Sequence, residues 1–290
     1  MSETGGPVDA GPLARGNTPL ADPGGVAPIF AACRQENRAA LIGYLPTGYP
    51  DVDTSIEAMV AMVRSGCDII EVGIAYSDPG MDGPTIARAT ETALSRGVRV
   101  RDALRAVEAI TAAGGHAVVM TYWNPVLRYG VDAFARDLAG AGGLGLITPD
   151  LIPDEADTWL AASDHHQLDR VFLVAPSSTP ERLAMTVAAS RGFVYAASTM
   201  GVTGARAAVS NAAPELVARV RAISDIPVGV GLGVRSREQA AEIGSYADGV
   251  IVGSALVSAL GDGLDKDKGI AAVGALTAEL AQGVRQRVSA

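Results

Sequence analysis

Residues 68–85 read DIIEVGIAYSDPGMDGPT, a short apolar run followed by a loop of turn-forming residues. The apolar run lacks the polar–apolar alternation of a half-exposed strand, so it predicts a strand buried on both faces of a parallel sheet. The loop contains Pro79, Gly80 and Gly83, and apolar residues at helical spacing follow it over residues 85–96. The stretch therefore predicts one strand–loop–helix unit.

The same unit recurs along the chain. Apolar runs predict eight strands, at residues 39–45, 68–73, 116–121, 143–148, 169–175, 192–197, 226–231 and 248–253. Helical spacing predicts helices between them, most clearly at residues 54–65, 85–96, 100–113, 131–139, 154–162, 180–190, 214–223 and 236–246. Eight alternations predict an α/β fold, a single (β/α)8 TIM barrel with eight parallel strands.

The alternative is an open, doubly wound sheet, which would suit about six strands and would need a dinucleotide fingerprint after the first strand. No such fingerprint follows residues 39–45. We expect the barrel to occupy residues 27–290 as one catalytic domain. Residues 1–26 are rich in Gly, Pro, Ala and Asp, and we expect them to form a flexible, disordered leader.

Composition narrows the class of protein. Hydrophobic residues make up 48% of the chain and charged residues 19%, which is typical of a chain with a large core. The net charge is −9 and no basic run is interleaved with aromatic residues, so we expect no nucleic-acid partner. No apolar run is long enough to span a bilayer. Two cysteines are too few for a disulfide framework, and we expect a cytoplasmic protein with reduced thiols.

Two kinds of chemistry are disfavoured. The three histidines, His116, His165 and His166, fall at the end of the barrel opposite the expected active site, and no spacing of ligands suggests a metal. The two lysines, Lys266 and Lys268, lie near the C-terminus rather than at the end of a strand. A Schiff-base mechanism would lack its nucleophile, so any carbon–carbon cleavage must proceed by acid–base catalysis.

Reactive groups of such barrels gather where the strands end. The polar residues that satisfy this criterion are Glu71, Asp82, Asn124, Asp150, Ser177, Ser178, Tyr195, Ser198, Thr199, Thr203 and Ser254. Glu71 is the most informative, because a carboxyl inside the barrel would have a raised pKa suited to proton transfer. A structural carboxylate held by hydrogen bonds is the alternative, and spacing alone does not separate the two. Asp82 is either a ligand acceptor over the barrel mouth or an ordinary turn residue.

Glycines near the C-terminus suggest a phosphate site. GVGLG at residues 229–233 ends the seventh strand, and VGS at residues 252–254 ends the eighth. The loops after these two strands form the usual phosphate site of barrels, where backbone N–H groups bind the anion. A further glycine-rich loop, residues 201–204, follows the sixth strand and is expected to close over a ligand.

Three motifs together resemble one known family. EVGIAYSDPGMDGPTI at residues 71–86, MGVTG at residues 200–204, and GVGLGV with VGS in the C-terminal third resemble the signatures of the tryptophan synthase alpha-subunit family, in family order. The resemblance extends from about residue 27 to the end of the chain. It implies a lyase that cleaves indole-3-glycerol phosphate into indole and glyceraldehyde 3-phosphate by acid–base retro-aldol chemistry, in L-tryptophan biosynthesis.

The resemblance also implies a role for individual residues. Glu71 would be the proton-shuttling acid/base, Asp82 would accept the indole N–H, and Tyr195 would be the active-site tyrosine. The implied phosphate contacts are Gly204, Gly233, Gly253 and Ser254, and Thr203 would meet Asp82 when its loop closes. The implied indole pocket consists of Tyr44, Ile86, Leu127 and Leu232.

The implied partner is a beta subunit that carries pyridoxal phosphate, in an α2β2 complex, whereas the alpha subunit needs no cofactor. Contacts with that partner would involve the loop of Asp78 and the region of Asn124 and Pro125. Ala75 stands where the family usually has proline, which is expected to loosen this loop. Two alternatives are another phosphate-binding barrel of aromatic amino-acid synthesis, which lacks the SDPxxDGP loop, and a catalytically silent partner of a beta subunit.

Overall fold

The protein is described here by a computed structural model that covers residues 24–197, 212–231, 233–261 and 265–286. Within them one sheet contains nine parallel strands: β1 (Ala40–Pro46), β2 (Ile69–Gly73), β3 (Ala117–Met120), β4 (Gly145–Ile147), β5 (Asp169–Val171), β6 (Leu173–Val174), β7 (Val194–Ala197), β8 (Val228–Gly231) and β9 (Gly249–Val252). The strand order is β5-β4-β3-β2-β1-β9-β8-β7-β6.

The sheet closes into a barrel through its fifth predicted strand. Residues 169–171 pair with β4 and residues 173–174 pair with β7, while Phe172 between them accepts a hydrogen bond from Tyr195 N–H at 3.1 Å. β5 and β6 are thus two parts of one run that joins the two ends of the sheet. The predicted (β/α)8 barrel is confirmed, with the 169–175 strand divided at Phe172.

Helices alternate with the strands. They are α1 (Ala27–Gln35), α2 (Val52–Arg64), α3 (Pro84–Ser95), α4 (Val100–Ala112), α5 (Trp123–Tyr129), α6 (Val131–Gly140), α7 (Asp157–His165), α8 (Pro180–Ala189), α9 (Ala212–Arg221), α10 (Arg237–Tyr246), α11 (Ser254–Leu260) and α12 (Lys266–Val284). The sequence did not predict α1, α5, α11 or α12. The first three are nine residues or shorter, and so few turns show little periodicity. α12 is rich in alanine and glycine, which weakens the contrast between its faces.

Local side chains determine where several helices begin. Asp51 accepts the Thr54 N–H at 2.8 Å and caps α2, and Thr179 accepts the Arg182 N–H at 3.3 Å and caps α8. The helix predicted over residues 154–162 begins later, at Asp157, because Pro153–Glu155 forms a separate 3₁₀ turn.

Alternate residues of the strands pack in two layers. Ile70 and Val72 of β2 contact the helices, whereas Ile69 belongs to a lumen cluster inside the barrel. The buried members of the lumen cluster are Val26, Phe30, Cys33, Ala40, Ile42, Ile69, Val118, Ile147, Val171, Phe193 and Ile251. Phe30 of α1 packs on Phe193 with ring centroids 5.6 Å apart, so α1 covers the N-terminal end of the barrel. The opposite end, where the strands finish, holds the candidate site.

Candidate active site

Glu71 lies inside the barrel near the end of β2. It is two residues after Ile69 of the lumen cluster, and its register partners are Tyr44 on β1 and Val118 on β3. Its side chain is 2% exposed, and among the described residues its Oε2 atom has no hydrogen-bond partner. Burial, and then the negative charge of Asp82, raise the pKa of Glu71 to about 8. The structural alternative, a carboxyl held by hydrogen bonds, finds no partner for this oxygen in the part of the chain that the structure describes.

The loop after β2 brings Asp82 to the same place. Asp82 is half-buried, and its Oδ1 accepts a hydrogen bond from the Tyr122 hydroxyl at 3.3 Å. The same hydroxyl accepts the Met81 N–H at 2.8 Å. Burial raises the pKa of Asp82, and donation by Tyr122 opposes that rise. An ordinary turn aspartate accepts hydrogen bonds from its own turn, whereas Asp82 accepts one from a side chain 40 residues away in the chain.

Two further phenols face the carboxylates. Burial raises the pKa of Tyr195 on β7, and the charges of Glu71 and Asp82 raise it further. The same three causes raise the pKa of Tyr44, with Asp82 ahead of Glu71. The structure therefore places Glu71, Asp82, Tyr44 and Tyr195 within electrostatic reach of one another, although they come from three strands and a loop.

Glycines make room for both aromatic rings. A Cβ atom at Gly73 would lie 2.6 Å from the Tyr44 hydroxyl oxygen, and one at Gly231 would lie 2.6 Å from the Tyr195 hydroxyl oxygen. A Cβ atom at Gly253 would lie 3.3 Å from the Tyr44 ring and 3.5 Å from Ile86. Tyr44 and Ile86, both predicted for the indole pocket, thus lie beside Gly253, which is predicted for the phosphate site.

The described residues of the predicted phosphate site lie at neighbouring strand ends. Gly231 of β8 pairs with Ile251 of β9, and Gly253 and Ser254 follow at the start of α11. Gly233 has a φ of 65°, which favours glycine, and a Cβ built there would contact no atom within 4 Å. The other predicted residues of this region, Thr203, Gly204 and Leu232, lie outside the described residues.

Leu127 is not brought to the lumen. It lies on α5 with 52% of its surface exposed, because α5 packs through Val126 on the other face. On the strand sides, Leu173 is the register partner of Tyr195, Met120 is the partner of Ile147, and all three line the lumen. Sequence reasoning missed these three, although each continues the inward alternation of its strand.

Tyr122 is the other residue that sequence reasoning missed. It follows the predicted third strand by one position and is a polar residue at a strand end, so the criterion used for the other candidates applies to it. Within the described ranges, no group of three or more histidine, cysteine, aspartate or glutamate side chains could hold a metal ion. The helices described in those ranges include none long and apolar enough to cross a membrane.

The fold and the site define a class: a (β/α)8-barrel enzyme with a buried carboxyl at the C-terminal end of its strands. The sequence profile of the tryptophan synthase alpha chain family matches residues 30–285. The chain belongs to this family. It is therefore a lyase that cleaves indole-3-glycerol phosphate and has the alpha subunit's role in tryptophan biosynthesis. The family confirms the predicted lyase, and it implies a beta-subunit partner and no cofactor in this subunit.

Relatives with high identity cover nearly the whole chain. The tryptophan synthase alpha chain of Mycobacterium avium (strain 104) is 81% identical over 265 residues, which are 91% of this chain and 96% of the relative. A tryptophan synthase structure from M. tuberculosis, in an open form with BRD0059 bound, has 74% identity and a TM-score of 0.84 over 90% of this chain and 98% of that one. The alpha subunit from Legionella pneumophila str. Paris has 29% identity and a TM-score of 0.81, covering 89% of this chain and 97% of that chain.

Proposed function

We propose that Glu71 is the acid and base of the cleavage. Its pKa of about 8 leaves the carboxyl protonated at neutral pH, ready to donate its proton to C3 of the indole ring. The resulting carboxylate then takes the proton of the glycerol hydroxyl next to the scissile bond. The carbon–carbon bond breaks, its electron pair returns to the indole ring, and indole and glyceraldehyde 3-phosphate separate.

Asp82 supports this step electrostatically. Protonation of C3 places positive charge on the indole nitrogen, and a carboxylate that accepts the N–H stabilises that charge. The Tyr122 hydroxyl favours the ionised form of Asp82 by donating to it. Tyr195, which lies within electrostatic reach of Glu71, would shape the space around its carboxyl.

The remaining predicted residues bind and enclose the substrate. Backbone N–H groups near Gly204, Gly233, Gly253 and Ser254 would hold the phosphate. Tyr44, Ile86 and Leu232 would pack on the indole ring, and Thr203 would meet Asp82 on closure. The contact of Tyr44 and Ile86 with the position of Gly253 supports this arrangement.

The next proposal concerns the composition of the complex with the beta subunit and the surface at which it forms. We propose an α2β2 complex in the cytoplasm, in which the beta subunit carries pyridoxal phosphate and consumes the indole. Three adjacent loops support a docking surface at the C-terminal end of the barrel. Met81 follows β2, Leu127 follows β3 and Ile152 follows β4, and all three are exposed apolar side chains.

The buried Glu71 carboxyl, whose Oε2 atom has no partner among the described residues, carries the mechanistic proposal, and its replacement tests it. Indole release from indole-3-glycerol phosphate is measured for the wild type and for Glu71→Gln, each with the beta subunit. Glutamine keeps the shape but cannot transfer the proton, so we expect a loss of roughly 100-fold or more. Glu108→Gln, at an exposed position on α4, is the matched control and should retain wild-type activity. Equal rates for the wild type and Glu71→Gln would remove Glu71 from this role.

A further inference from the structure

Tyr122 makes two hydrogen bonds to consecutive residues of the β2 loop. Its hydroxyl accepts the Met81 N–H at 2.8 Å and lies 3.3 Å from Asp82 Oδ1. A phenol has one proton to donate, and because the Met81 contact uses a lone pair, that proton is available to the carboxylate. The side chain is 4% exposed, so little water competes for the bond.

The position of Tyr122 is itself fixed from two sides. Its ring stacks on Tyr76 with centroids 5.2 Å apart and planes 30° apart. Tyr122 precedes α5 but gives that helix no side-chain cap, and Asp150 from the loop after β4 accepts the Trp123 N–H at 2.9 Å instead. The loops after β2, β3 and β4 are therefore tied together at this tyrosine.

We infer that Tyr122 is a positioning residue for the cleavage: it orients the Asp82 carboxylate and keeps it ionised. The inference rests on the proposed role of Asp82. Tyr122 acts through Asp82 and needs no contact with the substrate itself. Its removal should therefore lower turnover by changing the orientation and the ionisation of Asp82.

The groups around Asp82 determine in which direction its pKa changes when the Tyr122 hydroxyl is removed. Glu71 on β2 and the phenols of Tyr44, Tyr122 and Tyr195 interact with it. Burial raises the pKa of Asp82, and the Tyr122 bond is the contact that lowers it. Without the hydroxyl the carboxyl holds its proton to higher pH, and the fraction of enzyme able to accept the indole N–H falls.

Tyr122→Phe tests the inference in the complex with the beta subunit, by kcat and kcat/KM for indole-3-glycerol phosphate across pH. We expect kcat to fall about tenfold or more, as for the loss of a hydrogen bond to a charged group. The acid limb of kcat/KM should move to higher pH. Tyr129→Phe is the matched control, because it removes a phenol–carboxylate bond of 2.7 Å to Asp137 outside the site. It should leave both quantities unchanged.

The outcomes separate this inference from the proposed function. A wild type that releases no indole would contradict the function, whatever Tyr122 does. An active wild type together with an unmoved acid limb in Tyr122→Phe would overturn the inference, even if kcat fell, since a purely structural role also lowers kcat.

If the phenylalanine variant does not fold, 3-fluorotyrosine at position 122 keeps the ring and donates its hydroxyl proton more strongly. It should move the acid limb to lower pH, and an unmoved limb would again overturn the inference.

Discussion

A carboxyl buried inside a barrel makes the stability of the fold depend on pH. Glu71 is buried, its Oε2 atom has no hydrogen-bond partner among the described residues, and burial raises its pKa from 4.5 to about 8. The folded state therefore binds a proton that the unfolded state releases between these two pH values. By linkage, the free energy of unfolding falls as pH rises through this interval.

This sign gives a stability prediction for Glu71→Gln. Glutamine does not titrate, so the variant should gain stability over the wild type as pH rises from about 4.5 to about 8, with little difference below that interval. Denaturant unfolding at a series of pH values measures the difference. The exposed Glu108→Gln variant should follow the wild type throughout. A constant offset for Glu71→Gln across the whole range would show that Glu71 gains no proton on folding.

At the scale of elements, the loop after β2 connects the strand that carries Glu71 with the expected partner surface. Strand pairing ends where the Ile74 N–H donates to the Met120 carbonyl at 3.0 Å, and Ala75 is the next residue. Tyr76 then stacks on Tyr122, and Asp82 follows six residues later. Ala75 therefore lies in the chain between Glu71 and Asp82, and backbone flexibility at Ala75 would change the position of one relative to the other.

Ala75→Pro should narrow the ensemble of this loop, because proline fixes φ. We expect a larger ratio between the rates of indole release with and without the beta subunit. The measurement compares that ratio for the wild type and the variant at saturating substrate. Gly80→Ala, in open space on the same loop, is the control. An unchanged ratio in Ala75→Pro would refute the idea that this residue limits coupling.

At the scale of the whole molecule, exposed apolar side chains are unevenly distributed. Of the four large ones in the described ranges, Met81, Leu127 and Ile152 follow three adjacent strands, and Ile223 follows α9 at the other end of the barrel. Exposed apolar groups that cluster on one face mark a contact surface, whereas a single one is ordinary. The face that holds Asp82 is thus also the face expected to meet the partner.

Leu127→Ser with Ile152→Ser should weaken binding of the beta subunit, since each substitution removes apolar area that the complex would bury. Isothermal titration of the beta subunit into the alpha subunit measures the affinity. Ile223→Ser, equally apolar and 51% exposed, should have no effect. Equal affinities for the double variant and the control would place the interface elsewhere.

Much of the fold could be predicted because the same local pattern, an apolar run followed by a helix, repeats along the chain. Each strand is a continuous apolar run and most helices show an apolar face, so neither depends on distant residues. The short helices α5 and α11 could not be predicted, since two turns carry too little periodicity. The division of the fifth strand at Phe172 depends on which neighbours each half pairs with, and these lie far apart in the chain.

The amino-acid sequence by itself determined the alternation of strands and helices, the barrel, and the motifs that mark Glu71 and Asp82. Only the tertiary structure decided which side chains share the lumen. It brought Tyr122 to Asp82, placed Tyr44 and Tyr195 beside Glu71, and left Leu127 exposed on α5. The physical reason is that burial and hydrogen bonding depend on residues that barrel closure brings together, such as Glu71 and Tyr195, which are more than a hundred positions apart in the chain. The pKa of Glu71 also depends on that closure. The apolar residues around Glu71 in the sequence do not by themselves remove water from its carboxyl, whereas the closed lumen does.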